Sequence, residues 1–104
     1  MKRVNEGTAL AVDVSFLSET GTPIAPSTVH YRLFNVTARR DVIDWTEIAT
    51  APDVEISIPA QAVRIENDRN PREVQELTVV ANKDLPTQVP EVFSWEVTNL
   101  EVIR

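Results

Sequence analysis

The sequence predicts an all-β protein, a two-sheet antiparallel sandwich of six to seven strands. Three observations carry that expectation. Apolar residues recur at every second position in several separate windows, the period of a strand with one buried face. Turn-forming residues separate the windows, and the seven prolines fall at their ends. No window sustains the i, i+3, i+4, i+7 spacing with caps that a helix requires. A small barrel is the competing architecture.

The first window sets Leu10, Val12, Val14 and Phe16 against Ala11, Asp13 and Ser15. It ends where Gly21 supplies a positive φ and Pro23 withholds a ladder donor. The second places Val29, Tyr31 and Leu33 inward, with His30, Arg32 and Phe34 outward. A third, over residues 42–48, puts Ile43 and Trp45 on one face. After Pro52, Val54, Ile56 and Ile58 alternate with Glu55 and Ser57, and Pro59 closes the strand. Val63 and Ile65 suggest a short strand before a polar, exposed turn at residues 66–71. A β-branched strand covers about 74 to 81. The last strand carries Phe93, Trp95 and Val97; the apolar beat then skips to Leu100 and Val102, which predicts a bulge near Thr98 and Asn99.

Length and charge bound the rest. A chain of 104 residues holds one core, and 42% apolar content is enough to fold it. With no cysteine, neither a disulfide framework nor a thiolate metal site is available, which suits a reducing compartment. The first residues lack the apolar run of a signal peptide, and no stretch is long enough to span a membrane as a helix. A net charge of −6, with basic residues scattered among carboxylates, argues against nucleic acid. Residues 1–7 are polar, without an apolar beat, and read as an N-terminal arm before a domain at 8–104; a frayed terminus is the alternative.

No constellation of catalytic residues emerges. His30 is the single histidine, and no serine sits in a Gly-x-Ser-x-Gly elbow beside which it would act. The oxygen-rich run Glu66, Asn67, Asp68, Asn70 fails the spacing of a calcium loop and contains Arg69. Asp44 and Glu47 flank Trp45, a pairing that acidic chains present by chance. Trp45 and Trp95 are in phase with core aliphatics, which favours packing over a sugar-stacking platform. No catalytic residue, cofactor, metal or small-molecule substrate is therefore expected. The candidate interface residues are apolar side chains out of phase with the inner set: Phe34, Val36, Val42, Val80, Val92 and Ile103.

Several runs stand out together: Gly21-Thr22-Pro23 with Pro26, Val29-His30-Tyr31-Arg32-Leu33, Asp44-Trp45-Thr46, Ile56-Ser57-Ile58-Pro59, Glu76-Leu77-Thr78-Val79 and Trp95-Glu96-Val97-Thr98-Asn99-Leu100. In order and spacing they resemble small immunoglobulin-like structural proteins of tailed bacteriophages. The resemblance spans nearly the whole chain and rests on strand and turn patterning. It implies an immunoglobulin-like sandwich and a non-enzymatic virion component: a capsid decoration protein, or a neck or tail accessory. Assembly would take place in the host bacterial cytoplasm, with other virion proteins as partners and self-association as a further possibility. A carbohydrate or host-surface binding module is the alternative.

Overall fold

The computed structural model describes residues 1–18 and 20–100. Among the described residues seven strands form two sheets: β1 (Lys2–Asn5), β2 (Leu10–Ser15), β3 (Val29–Asn35), β4 (Arg40–Ile48), β5 (Asp53–Ile58), β6 (Arg72–Ala81) and β7 (Val89–Thr98). The larger sheet runs β1-β7-β6-β3-β4, and β2 pairs with β5 in the smaller. All pairings are antiparallel except that of β1 with β7. This is the all-β sandwich that the period-two pattern predicts, elongated to 50 × 21 × 20 Å.

The core lies between the sheets. Val29 and Leu33 of β3, Leu77 and Val79 of β6, and Trp95 and Val97 of β7 face Val14 of β2 and Val54, Ile56 and Ile58 of β5. In β5 the alternation is complete: its three apolar residues are buried, and Asp53, Glu55 and Ser57 are exposed. Residues 1–7, expected as an arm outside the domain, contain β1, and its one aliphatic residue, Val4, joins the core.

Two expected features take a different form. Val63 and Ile65 form no strand; a single 3-10 turn at Ala60–Ala62 precedes them, and Val63 is fully buried. The ladder between β6 and β7 runs unbroken to the Arg72–Thr98 pair, so no bulge lies at the end of β7. The inward positions of this stretch are Trp95, Val97 and Asn99, all buried. The beat skips because the third of them is polar.

Asn99 belongs to a polar layer that closes one end of the sandwich. Asn35, Gln75 and Glu73 continue the inward phases of β3 and β6, and each is at most 1% exposed. Trp95 donates from Nε1 to Gln75 Oε1, and Gln75 donates from Nε2 to the Ala62 carbonyl, both at 2.9 Å. The Glu73 carboxylate accepts four hydrogen bonds. Asn35 Nδ2 (3.0 Å) and the Glu66 amide (2.6 Å) reach Oε1; the Asn67 amide (3.1 Å) and Asn70 Nδ2 (2.9 Å) reach Oε2. The turn at 66–71, expected as a solvated connection, is thus wrapped around a buried anion. Asn99 Nδ2 fastens the same turn through the carbonyls of Asp68 and Asn70.

Burial alone would raise the pKa of Glu73, but the four donors outweigh it and hold the carboxyl below its ordinary value. A group whose pKa is depressed on folding stabilises the fold above its unfolded pKa. That stability disappears as pH falls through the lowered value. Urea denaturation of the wild type should therefore show stability declining over the acid range, and Glu73→Gln should flatten that slope. Glu73→Ala, which strands four donors, should cost about 3 kcal/mol or more at neutral pH.

Candidate functional site

The outer face of the larger sheet holds most of the apolar residues singled out from the sequence, and they do not form one patch. Phe34 lies on β3 opposite Glu76 of β6, and Val92 lies on β7 opposite Thr78. Glu76 and Thr78 of β6 therefore stand between Phe34 and Val92. Val36 follows β3 at the polar end, 42% exposed. Val42 is half-buried and packs against the core, so it is not an outer-face residue. Val80 is only 5% exposed. It sits in the central strand between His30 of β3 and Pro90 of β7, and its neighbours cover it although it is out of phase with the core. Ile103 lies outside the described residues.

Val42 and Trp45 are both turned over by irregularities in β4. Tyr31 pairs with Thr46 and Leu33 with Ile43, so Asp44 and Trp45 together oppose Arg32 alone. A second shift, between Leu33 and Phe34, brings Val42 to the core side beside Ile43. Each extra residue reverses the phase of the side chains that follow. The first bulge is held locally. Asp44 Oδ1 accepts from the Trp45 amide at 2.8 Å, and its carbonyl accepts from Thr46 Oγ1 at 2.9 Å.

Trp45, expected in the core with Trp95, is consequently 37% exposed. Arg32 Cζ lies 5.2 Å from its ring centre and 5.3 Å from that of Phe34, while Lys83 Nζ lies 5.1 Å from the Trp45 ring. These are cation–π distances. Carboxylates complete the surface: Asp41 stands 3.7 Å from Arg32 Nε, Glu47 stands 3.6 Å from His30 Nε2, and Asp84 stands 3.1 Å from Lys83 Nζ. All three pairs are partly exposed, so each contributes little to stability. The arrangement offers an aromatic face ringed by hydrogen-bonding groups and lacks a nucleophile paired with a base. Among the described residues, no group of three acidic or histidine side chains is placed to hold a metal ion.

The exposed apolar surface gathers instead at the end of the sandwich opposite the polar layer. Leu17 (60% exposed), Ile24 (46%) and Val89 (52%) line an open cleft with Phe16, Pro26 and Ala81. Leu85, also exposed, stands in the nearby connection between β6 and β7. Two interactions shape this end. Asn82 takes a positive φ of 56° and accepts from the Ser27 amide through Oδ1, tying the connection to the segment before β3. Gly21, at φ 83°, closes the turn after β2 by donating to the Ser18 carbonyl. Periodicity misses Leu17, Ile24 and Leu85 because they stand outside the seven strands. A usable signal for Ile24 and Leu85 is their chemistry, since a large aliphatic side chain next to proline in a turn-forming stretch has no sheet face to occupy.

Val80→Asp should destabilise the domain by about 3 kcal/mol or more, because it buries an unpaired charge, whereas Val92→Asp should stay within about 0.5 kcal/mol. Urea titration of both variants checks this. Iodide should quench only part of the tryptophan emission, and Trp45→Phe should abolish the quenchable part. Comparison with protein-family models, with curated proteins and with solved structures gives no match for this chain.

Proposed function

We propose that the chain is a non-enzymatic virion structural protein with an immunoglobulin-like sandwich. In this reading it is a capsid decoration protein or a neck or tail accessory that binds a repeated particle surface. One observation carries the reading. Leu17, Ile24, Leu85 and Val89 expose aliphatic surface at a single end, while the other end is closed by buried hydrogen bonds. Contiguous exposed apolar surface marks a site of protein association. The open cleft presents aliphatic side chains and the Glu91 carboxylate, chemistry suited to a protein segment. The resemblance of the strand and turn patterning to that of phage immunoglobulin-like proteins suggests the setting. On a particle, many symmetric copies would make modest contacts sufficient.

A second reading, a carbohydrate or host-surface module, is favoured by the exposure of Trp45 between Arg32 and Lys83. An aromatic face with planar polar neighbours offers a sugar ring both an apolar surface and hydrogen bonds.

Quantitative mass spectrometry of purified particles, from the phage whose genome encodes this chain, tests the first reading. The chain should be present at a fixed ratio to the major capsid protein, near one for shell decoration and far below one for a neck or tail position. Its absence from particles would overturn the proposal. A saturable shift of Trp45 emission on adding cell-surface polysaccharide, lost in Trp45→Ala, would favour the second reading.

A further inference from the structure

Two strand edges are open on the same flank of the sandwich. β7 extends over Val89–Thr98, but β1 pairs only with its second half, where Lys2 meets Trp95 and Asn5 meets Thr98. Among the described residues, no strand pairs with residues 89–94 on the side away from β6. β2 has β5 as its one strand partner among the described residues. The two edges look across a groove made of two clefts that follow successive stretches of the same strands. The first, about 290 Å³, has Lys2, Leu10 and Val12 facing Phe93 and Trp95. The second, about 320 Å³, is the apolar end cleft, with Phe16 and Leu17 facing Val89 and Glu91.

Pro90 identifies the backbone groups at this edge. It occupies a ladder position opposite Val80, and proline fits a paired strand only with its nitrogen turned away from the neighbour. The backbone groups of Pro90, Val92 and Ser94 therefore face the groove, since alternate residues of a strand present their N–H and C=O to the same side. The carbonyls of Pro90 and Val92 and the amides of Val92 and Ser94 are thus offered over an edge about 20 Å long, just before the first β1 pair at Lys2 and Trp95. An extended segment laid against them would continue the sheet and place every second side chain on the aliphatic floor.

We propose that this flank is a strand-acceptor groove whose occupant is an extended segment of a different protein, alternating in apolar and polar residues and carrying lysine or arginine at its ends. Charge selects that occupant. Glu91 and Asp13 flank the groove against the single cation Lys2, on a chain of net charge −6. A second copy pairing along the same edge would bring like-charged molecules together, with Glu91 near its counterpart, whereas a basic segment meets complementary charge. The inference concerns the groove itself and holds whether or not the chain is found on particles.

A labelled peptide Lys-Val-Thr-Val-Thr-Val-Lys, titrated against the whole chain, tests it. Saturable binding is expected, with amide exchange at Val92 and Ser94 slowed roughly tenfold or more at saturation. A peptide with proline in place of the central valine should not bind. Glu91→Lys should weaken binding by roughly threefold and reverse the preference in favour of a glutamate-ended peptide. Leu17→Asp should also weaken it. Both positions are exposed, and an unchanged melting temperature establishes that the variants fold. Binding without protection at Val92 and Ser94, equal binding of the glutamate-ended peptide, no binding at all, or self-association through this edge as concentration rises would each overturn the proposal.

Discussion

The carboxylate of Glu73 is the constraint on which the rest of the architecture leans. A charge removed from water is tolerated only when its lone pairs are taken up. Here the donors come from two separate parts of the chain: Asn35 at the end of β3, and the turn at 66–71, through the backbone of Glu66 and Asn67 and the side chain of Asn70. Satisfying one residue therefore sets the path of the connection between β5 and β6. It also links that connection to the sheet through Gln75, Trp95 and Asn99. Arg40 and Arg64 add surface pairing to Glu66, at 3.6 and 2.9 Å, on the rim of the same layer. Hydrophobic burial holds the two sheets together, but it is non-directional. The polar layer supplies the direction, because only one arrangement of the turn pairs every group.

The two ends of the molecule consequently differ in kind. One is dense with buried hydrogen bonds and has little apolar surface to offer. At the other, β7 extends past the strands that would cover it, and its side chains in the inward phase become exposed: Val89 and Glu91 continue the row of Phe93 and Trp95. The free flank and the apolar end are thus one geometric consequence of a long hairpin paired with a short β1 and a two-stranded second sheet.

Much of the fold was readable from residue order alone, and what escaped has specific causes. β5 was legible because Val54, Ile56 and Ile58 alternate with polar residues without interruption. β1 was not, since four residues with a single aliphatic cannot display a period. Periodicity puts Trp45 inside because Ile43 lies two positions before it; the bulge at Asp44 reverses the phase, and bulges leave only faint marks in composition. The polar layer was hidden for a different reason. Asn35 follows Val29, Tyr31 and Leu33 in phase, and Gln75 and Glu73 precede Leu77 and Val79 in phase, yet polar residues are ordinarily assigned to solvent. Of the proposed contact residues, Val92 is well exposed, Phe34 is half-buried, and Val80 is covered. Sequence phase reports which side of a sheet a residue faces, whereas exposure on the outer side depends on how crowded its neighbours are.

The parallel pairing of β1 with β7 bears on the order in which the domain can form. Lys2–Asn5 is the first of the described strands to be translated, and its ladder partner, in the second half of Val89–Thr98, is the last of them to appear. The hairpin of β6 and β7 and the pair of β3 and β4 are local enough to close early; β1 must wait until the second half of β7 has left the ribosome. During that interval the whole outer edge of β7 stands open, including the half that β1 later covers. The docking of β1 is therefore a strand addition to this edge, carried out by the chain on itself.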